Sequence, residues 1–219
     1  MRNGGRGRAA ARGARGARGA RGARGAAPAA LDRTLARGLK LVGLDVDGVL
    51  TDNGVYLGLV GDHPVEFKRF HIQDGLGVRM LQAAGLVVLW LSGRESAATA
   101  QRARELSVDE LIQDPTARKF PALEAVLARR GLDWAECAFV GDDLADLPVL
   151  TRVGLPVAVA NAVPEVKAAA HVVTRQPGGQ GAVREVAELI LRARGDWQPL
   201  LTKYFLERGD VPHGAERAR

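Results

Sequence analysis

Short apolar runs alternate along this chain with longer segments whose apolar positions step by three and four. Leu41 to Leu44, Leu86 to Leu91, Ala138 to Gly141 and Leu155 to Ala160 contain only apolar residues, glycine and one proline. Runs of this length bounded by turn residues read as strands buried on both faces, the signature of a parallel sheet. Val108 to Ile112 and His171 to Thr174 are shorter strands with polar residues among the apolar ones. Between them a helical period appears three times. It begins near Asp74-Gly75 with Val78, Leu81 and the stretch to Gly85. It returns over Ser96 to Leu106 with Ala97, Ala100 and Leu106 on one side, and again from Lys119 through Leu123, Val126 and Leu127 to a stop at Gly131. Ala182 to Ala193 is a closing helix. Strands and helices joined by short connections predict an α/β fold, a doubly wound, Rossmann-like parallel sheet with right-handed crossovers.

Two features break the alternation. Val55-Tyr56-Leu57 and Val65 to Phe70 flank a turn at Gly61-Asp62 and read as a β-hairpin projecting from the main sheet, the only sizeable insertion in the front half. Past Asp196, the residues Trp197, Leu200, Leu201, Tyr204 and Phe205 carry enough apolar surface for a short docked helix. The chain therefore divides into a disordered extension over 1–38, an α/β domain over 39–195 and a C-terminal tail over 196–219.

At 219 residues and 47% hydrophobic composition, the chain is long enough for one well-buried domain. Its formal charge of +6 first suggests a polyanion partner, but residues 1–30 hold eight arginines and no acid, so the other 189 residues carry −2. Those first thirty residues form an Arg-Gly-Ala tract without large apolar groups, expected to be disordered. Because the tract also lacks the aromatics that stack on bases, nucleic acid is not indicated as a partner beyond a weak contact through this arm. No apolar run is long enough to span a membrane, and the single cysteine, Cys137, has no internal partner, so the expected compartment is the cytoplasm.

The chemistry concentrates where strands end. Leu-Val-Gly-Leu-Asp-Val-Asp-Gly-Val runs from 41 to 49, delivering Asp45 and Asp47 to a loop at the C-terminal edge of a buried strand. Ligands bind at that edge of open α/β sheets, and carboxylates placed there call for a cation or a reaction. Ser92 ends the next long strand, Lys119 opens a helix, and Asp142 with Asp143 ends another strand, with Asp146 three residues on as a structural acid. One carboxylate can attack phosphorus, a second can move a proton, others can hold a hard octahedral cation, and a hydroxyl and an ammonium can bind phosphoryl oxygens. His63, His171 and His213 have no metal-ligand spacing among them, so zinc is not supported.

In this order, Asp-Val-Asp-Gly-Val (45–49), Leu-Ser-Gly-Arg (91–94), Lys119 and Gly-Asp-Asp-Leu-Ala-Asp (141–146) resemble the four motifs of the haloacid dehalogenase superfamily of phosphatases. Together with Lys68-Arg69-Phe70, Gln73 to Gly77 and Gly178 to Glu185, they resemble the 3-deoxy-D-manno-octulosonate 8-phosphate phosphatase family. The resemblance implies a nucleophile at Asp45, an acid and base at Asp47 whose carbonyl also binds metal, and phosphoryl ligands at Ser92 and Lys119. It also implies Mg²⁺ held by Asp45, Asp47 and Asp142 with Asp143 supporting. No large cap domain lies between the first two motifs. A homotetramer is implied instead, in which hairpins pack together and a neighbour covers the site, with Gly93, Arg94, Asp74 and Arg184 as contacts to a sugar acid phosphate. Arginine suits a substrate carboxylate because its donors form a planar fork. Gln180 departs from the basic residue common in the glycine loop of relatives. A nine-carbon sugar acid phosphate is the rival substrate, and a non-catalytic binding module is opposed by the presence of both Asp45 and Asp47.

Overall fold

The computed structural model describes residues 31–209, so the reading of 1–30 and the end of the tail lie outside the described residues. Six parallel strands form the main sheet: β1 (Leu41–Leu44), β4 (Val87–Ser92), β5 (Glu110–Gln113), β6 (Cys137–Gly141), β7 (Leu155–Ala158) and β8 (Val172–Val173). Their spatial order is β5-β4-β1-β6-β7-β8. β1 therefore lies at the centre, paired with β4 on one side and β6 on the other. All four of its residues are buried, as expected for a strand covered on both faces.

Helices α2 (Ile72–Ala83), α3 (Ala97–Glu105), α4 (Lys119–Arg130), α5 (Leu147–Leu150), α6 (Pro164–Ala169) and α7 (Ala182–Arg194) connect or cover the strands. Leu123, Val126 and Leu127 of α4 are buried, which is the face that their spacing predicts, and Gly131 ends the helix in the left-handed conformation. On α7 the buried stripe comprises Ala182, Val183, Val186, Ala187, Ile190 and Leu191.

The hairpin is a separate two-stranded sheet, β2 (Tyr56–Val60) and β3 (His63–Phe67), paired Tyr56 to Phe67 and Val60 to His63. Its second strand stops before Lys68. Phe70, expected within that strand, instead forms an isolated bridge with Thr51 that ties the hairpin stem to the end of the first loop. Leu57, Leu59, Val60 and Phe67 are 78, 71, 61 and 55% exposed.

The extension expected over 1–38 is corrected at its end. Arg33–Gly38 forms helix α1, capped by Asp32 accepting from the Leu35 amide, and Leu31, Ala36 and Leu39 are buried. Arg194 at the end of α7 donates to the Ala36 and Leu39 carbonyls, fixing α1 to the domain. A last helix, α8 (Trp197–Leu206), packs on α7 through Trp197, which is buried and carries the guanidinium groups of Arg184 and Arg192 over its ring. No helix among the described residues is long and apolar enough to cross a membrane.

Candidate active site

The parallel register sets the site. Leu44 pairs with Trp90 and with Val140, so Asp45 leaves the sheet level with the ends of β4 and β6, where Ser92 and Asp142 emerge. The Asp45 amide donates to the Val140 carbonyl, which continues the ladder one residue past β1 and holds the Asp45 backbone in place. The chain then turns at Gly48, whose φ of +97° is one that a side chain would strain; a Cβ there would lie 2.0 Å from Asp142 Oδ2. The glycine thus gives the first loop its turn and gives Asp142 room beside Asp45.

Lys119, at the first residue of α4, reaches into the gap. Its Nζ lies 2.5 Å from Asp45 Oδ1 and 2.6 Å from Asp146 Oδ1, and all three side chains are almost fully buried. The second oxygen of Asp146 accepts from the Asp142 and Asp143 amides. Asp146 therefore aims the lysine and shapes the strand end at once. Burial pushes the Asp45 carboxyl well above its ordinary range, opposed by the Lys119 ammonium. Burial, with Asp146 nearby, pushes Asp142 up to about 6. Lys119 is pushed up by its two carboxylate partners against the opposing effect of burial.

Carboxylate oxygens of Asp45, Asp142 and Asp146 lie within 4.8 Å of one another. Three acids against one ammonium put more carboxylate than positive charge into a buried space, and a divalent cation that prefers oxygen ligands would balance that excess. The donor set therefore fits Mg²⁺. Asp143, expected to support the metal, is exposed, and its side chain accepts from the Leu144 amide to cap the turn that follows. Asp146 takes its place in the cluster.

The other expected residues fall into three places. Asp47 is partly exposed, and both its oxygens accept from Lys68 Nζ, at 2.6 and 2.9 Å. Ser92 is buried at the end of β4, its hydroxyl hydrogen-bonded to both the amide and the carbonyl of Arg94 across Gly93. Arg94 is half exposed and reaches Glu66 of β3 at 2.7 Å.

Asp74 and Arg184, expected at the sugar, do other work within one chain. Asp74 is 1% exposed, and its oxygens accept from the Gly181 and Arg184 amides. Its carboxylate is spent on clamping the glycine loop to the start of α7, which favours an acid there through the helix dipole. The Arg184 side chain turns to Glu188 and Trp197, lining a cavity of about 470 Å³ with His71, Gln180 and Arg192 rather than meeting Asp45 or Lys119. The loop itself does adjoin the first motif. The Gly179 amide donates to the Val49 carbonyl, and Asn161 bridges the Gly48 carbonyl and the Gly178 amide. A Cβ on Gly178 would lie 1.7 Å from the Gly48 carbonyl oxygen, so only glycine fits.

Lys68 and Asn161 had no role assigned from the sequence. Lys68 had two available signals: it lies in the Lys68-Arg69-Phe70 stretch that carries part of the family resemblance, and it is a lone lysine after a strand of the hairpin in a chain whose cations are mostly arginines. Nothing near Asn161 pointed to a contact 113 residues away.

Residues 91–185 match the haloacid dehalogenase-like hydrolases. The chain is 41% identical over 159 residues to the 3-deoxy-D-manno-octulosonate 8-phosphate phosphatase of Yersinia pestis, covering 73% of this chain and 83% of that protein. The crystal structure of the Moraxella catarrhalis phosphatase of the same name, in complex with a magnesium ion, a phosphate ion and a KDO molecule, matches at 34% identity with a TM-score of 0.73. That match covers 78% of this chain and 97% of the other. The cobalt-bound phosphatase of Haemophilus influenzae matches at 36% identity and a TM-score of 0.68, covering 74% and 92% of the two chains. At this identity and coverage, this chain belongs to the 3-deoxy-D-manno-octulosonate 8-phosphate phosphatase family of haloacid dehalogenase-like hydrolases.

Proposed function

We propose that the protein is a cytoplasmic, Mg²⁺-dependent phosphomonoesterase that hydrolyses 3-deoxy-D-manno-octulosonate 8-phosphate to the free sugar acid and inorganic phosphate, in lipopolysaccharide precursor synthesis. The observation that carries the reading is the buried meeting of Asp45, Asp142, Asp146 and Lys119 at the edge of the central strand, in a chain 41% identical to a phosphatase of that name.

In this reading Asp45 attacks phosphorus and becomes an aspartyl phosphate as the bond to the leaving oxygen breaks. Asp47 gives that oxygen its proton, then takes one from the water that cleaves the acyl phosphate. Lys119 and Ser92 hold the non-bridging oxygens, and Asp146 keeps Lys119 aimed. The Asp45 and Asp142 carboxylates and the Asp47 carbonyl would hold Mg²⁺, which when bound supplies positive charge against which an anionic nucleophile and an anionic ester can meet.

Arg94 is the candidate for the substrate carboxylate, with Glu66 holding it meanwhile, and Gly93, where a Cβ would lie 3.0 Å from the Ala117 Cβ, lets the 114–117 turn approach beside it. Asp74 acts by fixing the glycine loop. The apolar face of the hairpin is the surface on which further copies assemble into a tetramer and cover a site that lacks a cap of its own. Phosphate release tests the substrate. The eight-carbon ester should be cleaved with Mg²⁺ at a kcat/KM well above that of the nine-carbon sialic-type ester, and equal or better efficiency on the latter would overturn the choice.

A further inference from the structure

Lys68 is the buried cation that the mechanism above leaves unused. It lies just past β3, where the hairpin returns to the domain, and its side chain is 1% exposed although the hairpin itself is open to solvent. Its Nζ is shared between both oxygens of Asp47. The same stem is tied to the first loop twice more, by the Thr51–Phe70 bridge and by Asp52, which meets Tyr56 Oη at 2.7 Å and Arg69 at 3.6 Å. Each of the two acids of the first motif thus has its own lysine: Lys119 on Asp45 and Lys68 on Asp47.

We infer that Lys68 is a positioning residue for Asp47: it fixes the orientation in which Asp47 faces the leaving oxygen and compensates the charge that appears on the carboxylate when its proton departs. The inference rests on the proposed role of Asp47. In the step concerned, an Asp45 oxygen bonds to phosphorus, the bonding pair of the ester goes to the leaving oxygen, and the Asp47 proton goes to that oxygen. An alcohol is released, and an anionic Asp47 remains beside the ammonium. Holding a two-atom acceptor at both oxygens restricts the rotation of its side chain, which a single hydrogen bond does not. The hairpin thereby becomes part of the active site through the anchorage of its stem.

The test uses a series of aryl phosphates running from 2,4-dinitrophenyl phosphate to phenyl phosphate, on the full chain with Mg²⁺. These substrates lack the sugar, so direct sugar contacts do not enter, and kcat/KM reports only steps up to departure of the leaving group. A dinitrophenolate departs without a proton and a phenolate needs one. Lys68→Met should therefore leave 2,4-dinitrophenyl phosphate within about threefold of wild type and reduce phenyl phosphate by roughly 10²-fold, the scale of general acid catalysis, so that the leaving-group dependence steepens. Lys68→Arg, which keeps a cation at the carboxylate, should restore most of the phenyl phosphate activity. Should Met at this position prevent folding, Lys68→Gln carries the same comparison. A parallel fall across the series, or no fall, would overturn the assignment. Asp45→Asn separates the two readings: it must be inactive on every ester, and activity there would overturn the nucleophile and the reaction, whereas parallel lines for Lys68→Met overturn only the role of Lys68.

Discussion

Replacing Asp142 by Asn should make the metal-free protein more stable and the metal-treated protein indifferent to Mg²⁺. The Asp142 side chain lies in the cluster with Asp45 and Asp146 and is 5% exposed, and its pKa rises from 3.8 to about 6 in the fold. At pH 7.5 it is ionised at a cost of ~3 kcal/mol relative to the unfolded chain, an order-of-magnitude figure from the size of that rise. Asn retains the shape without the charge, so part of that cost, ~1–3 kcal/mol, returns as stability and raises the melting temperature by roughly 3–10 °C. The sign with pH follows from the same rise. The folded state holds this proton more tightly than the unfolded one, so metal-free wild type loses stability as pH climbs from near 4 to about 6, a loss that the variant lacks. Bound Mg²⁺ should reverse the deficit, contributing ~2.7 kcal/mol at a hundred times its dissociation constant. Thermal unfolding of both proteins in EDTA and in Mg²⁺, at pH 5 and pH 7.5, reads all of this. A metal-free variant less stable than wild type, or one that keeps the full Mg²⁺ shift, would refute the reasoning.

Other outcomes follow from single contacts. Lys119→Met should lower kcat on any phosphate ester by ~10²–10³-fold and destabilise the fold, because Asp45 and Asp146 lose their shared cation; steady-state kinetics with a melting curve checks both. Gly48→Ala forces a Cβ onto the Asp142 carboxylate at a φ that alanine resists, and should weaken Mg²⁺ affinity measured by calorimetry. Leu57→Glu with Leu59→Glu on the exposed hairpin should shift sedimentation to the mass of a single chain and reduce turnover of the sugar substrate.

The sheet was legible because its strands are buried on both faces and so read as unbroken apolar runs, and because the acids sit where those runs stop. Asp45 and Asp142 could be placed at one edge from that pattern alone, since parallel strands all end on the same side. What the sequence hid were contacts made across the fold by backbone groups. Asp74 reads as a free acid near a glycine pair, but its partners are amides 107 and 110 residues away. Arg184 reads as a cation in a glycine loop, yet its side chain is taken up by Glu188 and by the ring of Trp197. Asp143 and Asp146 are alike in sequence, and they are separated by a single tight turn that exposes the first to cap it and buries the second beside Lys119. Helix α1 was missed because six residues beside a low-complexity tract carry too little pattern to announce a buried Ala36.

Asp45 as the atom donor to phosphorus is the claim on which the rest stands. Acid quenching during turnover of 3-deoxy-D-manno-octulosonate 8-phosphate with Mg²⁺, followed by peptide mass mapping, should find one added phosphoryl group on Asp45, absent when EDTA replaces the metal. Phosphate released at full rate with no phosphoryl group on Asp45, or with the group on another residue, would contradict it.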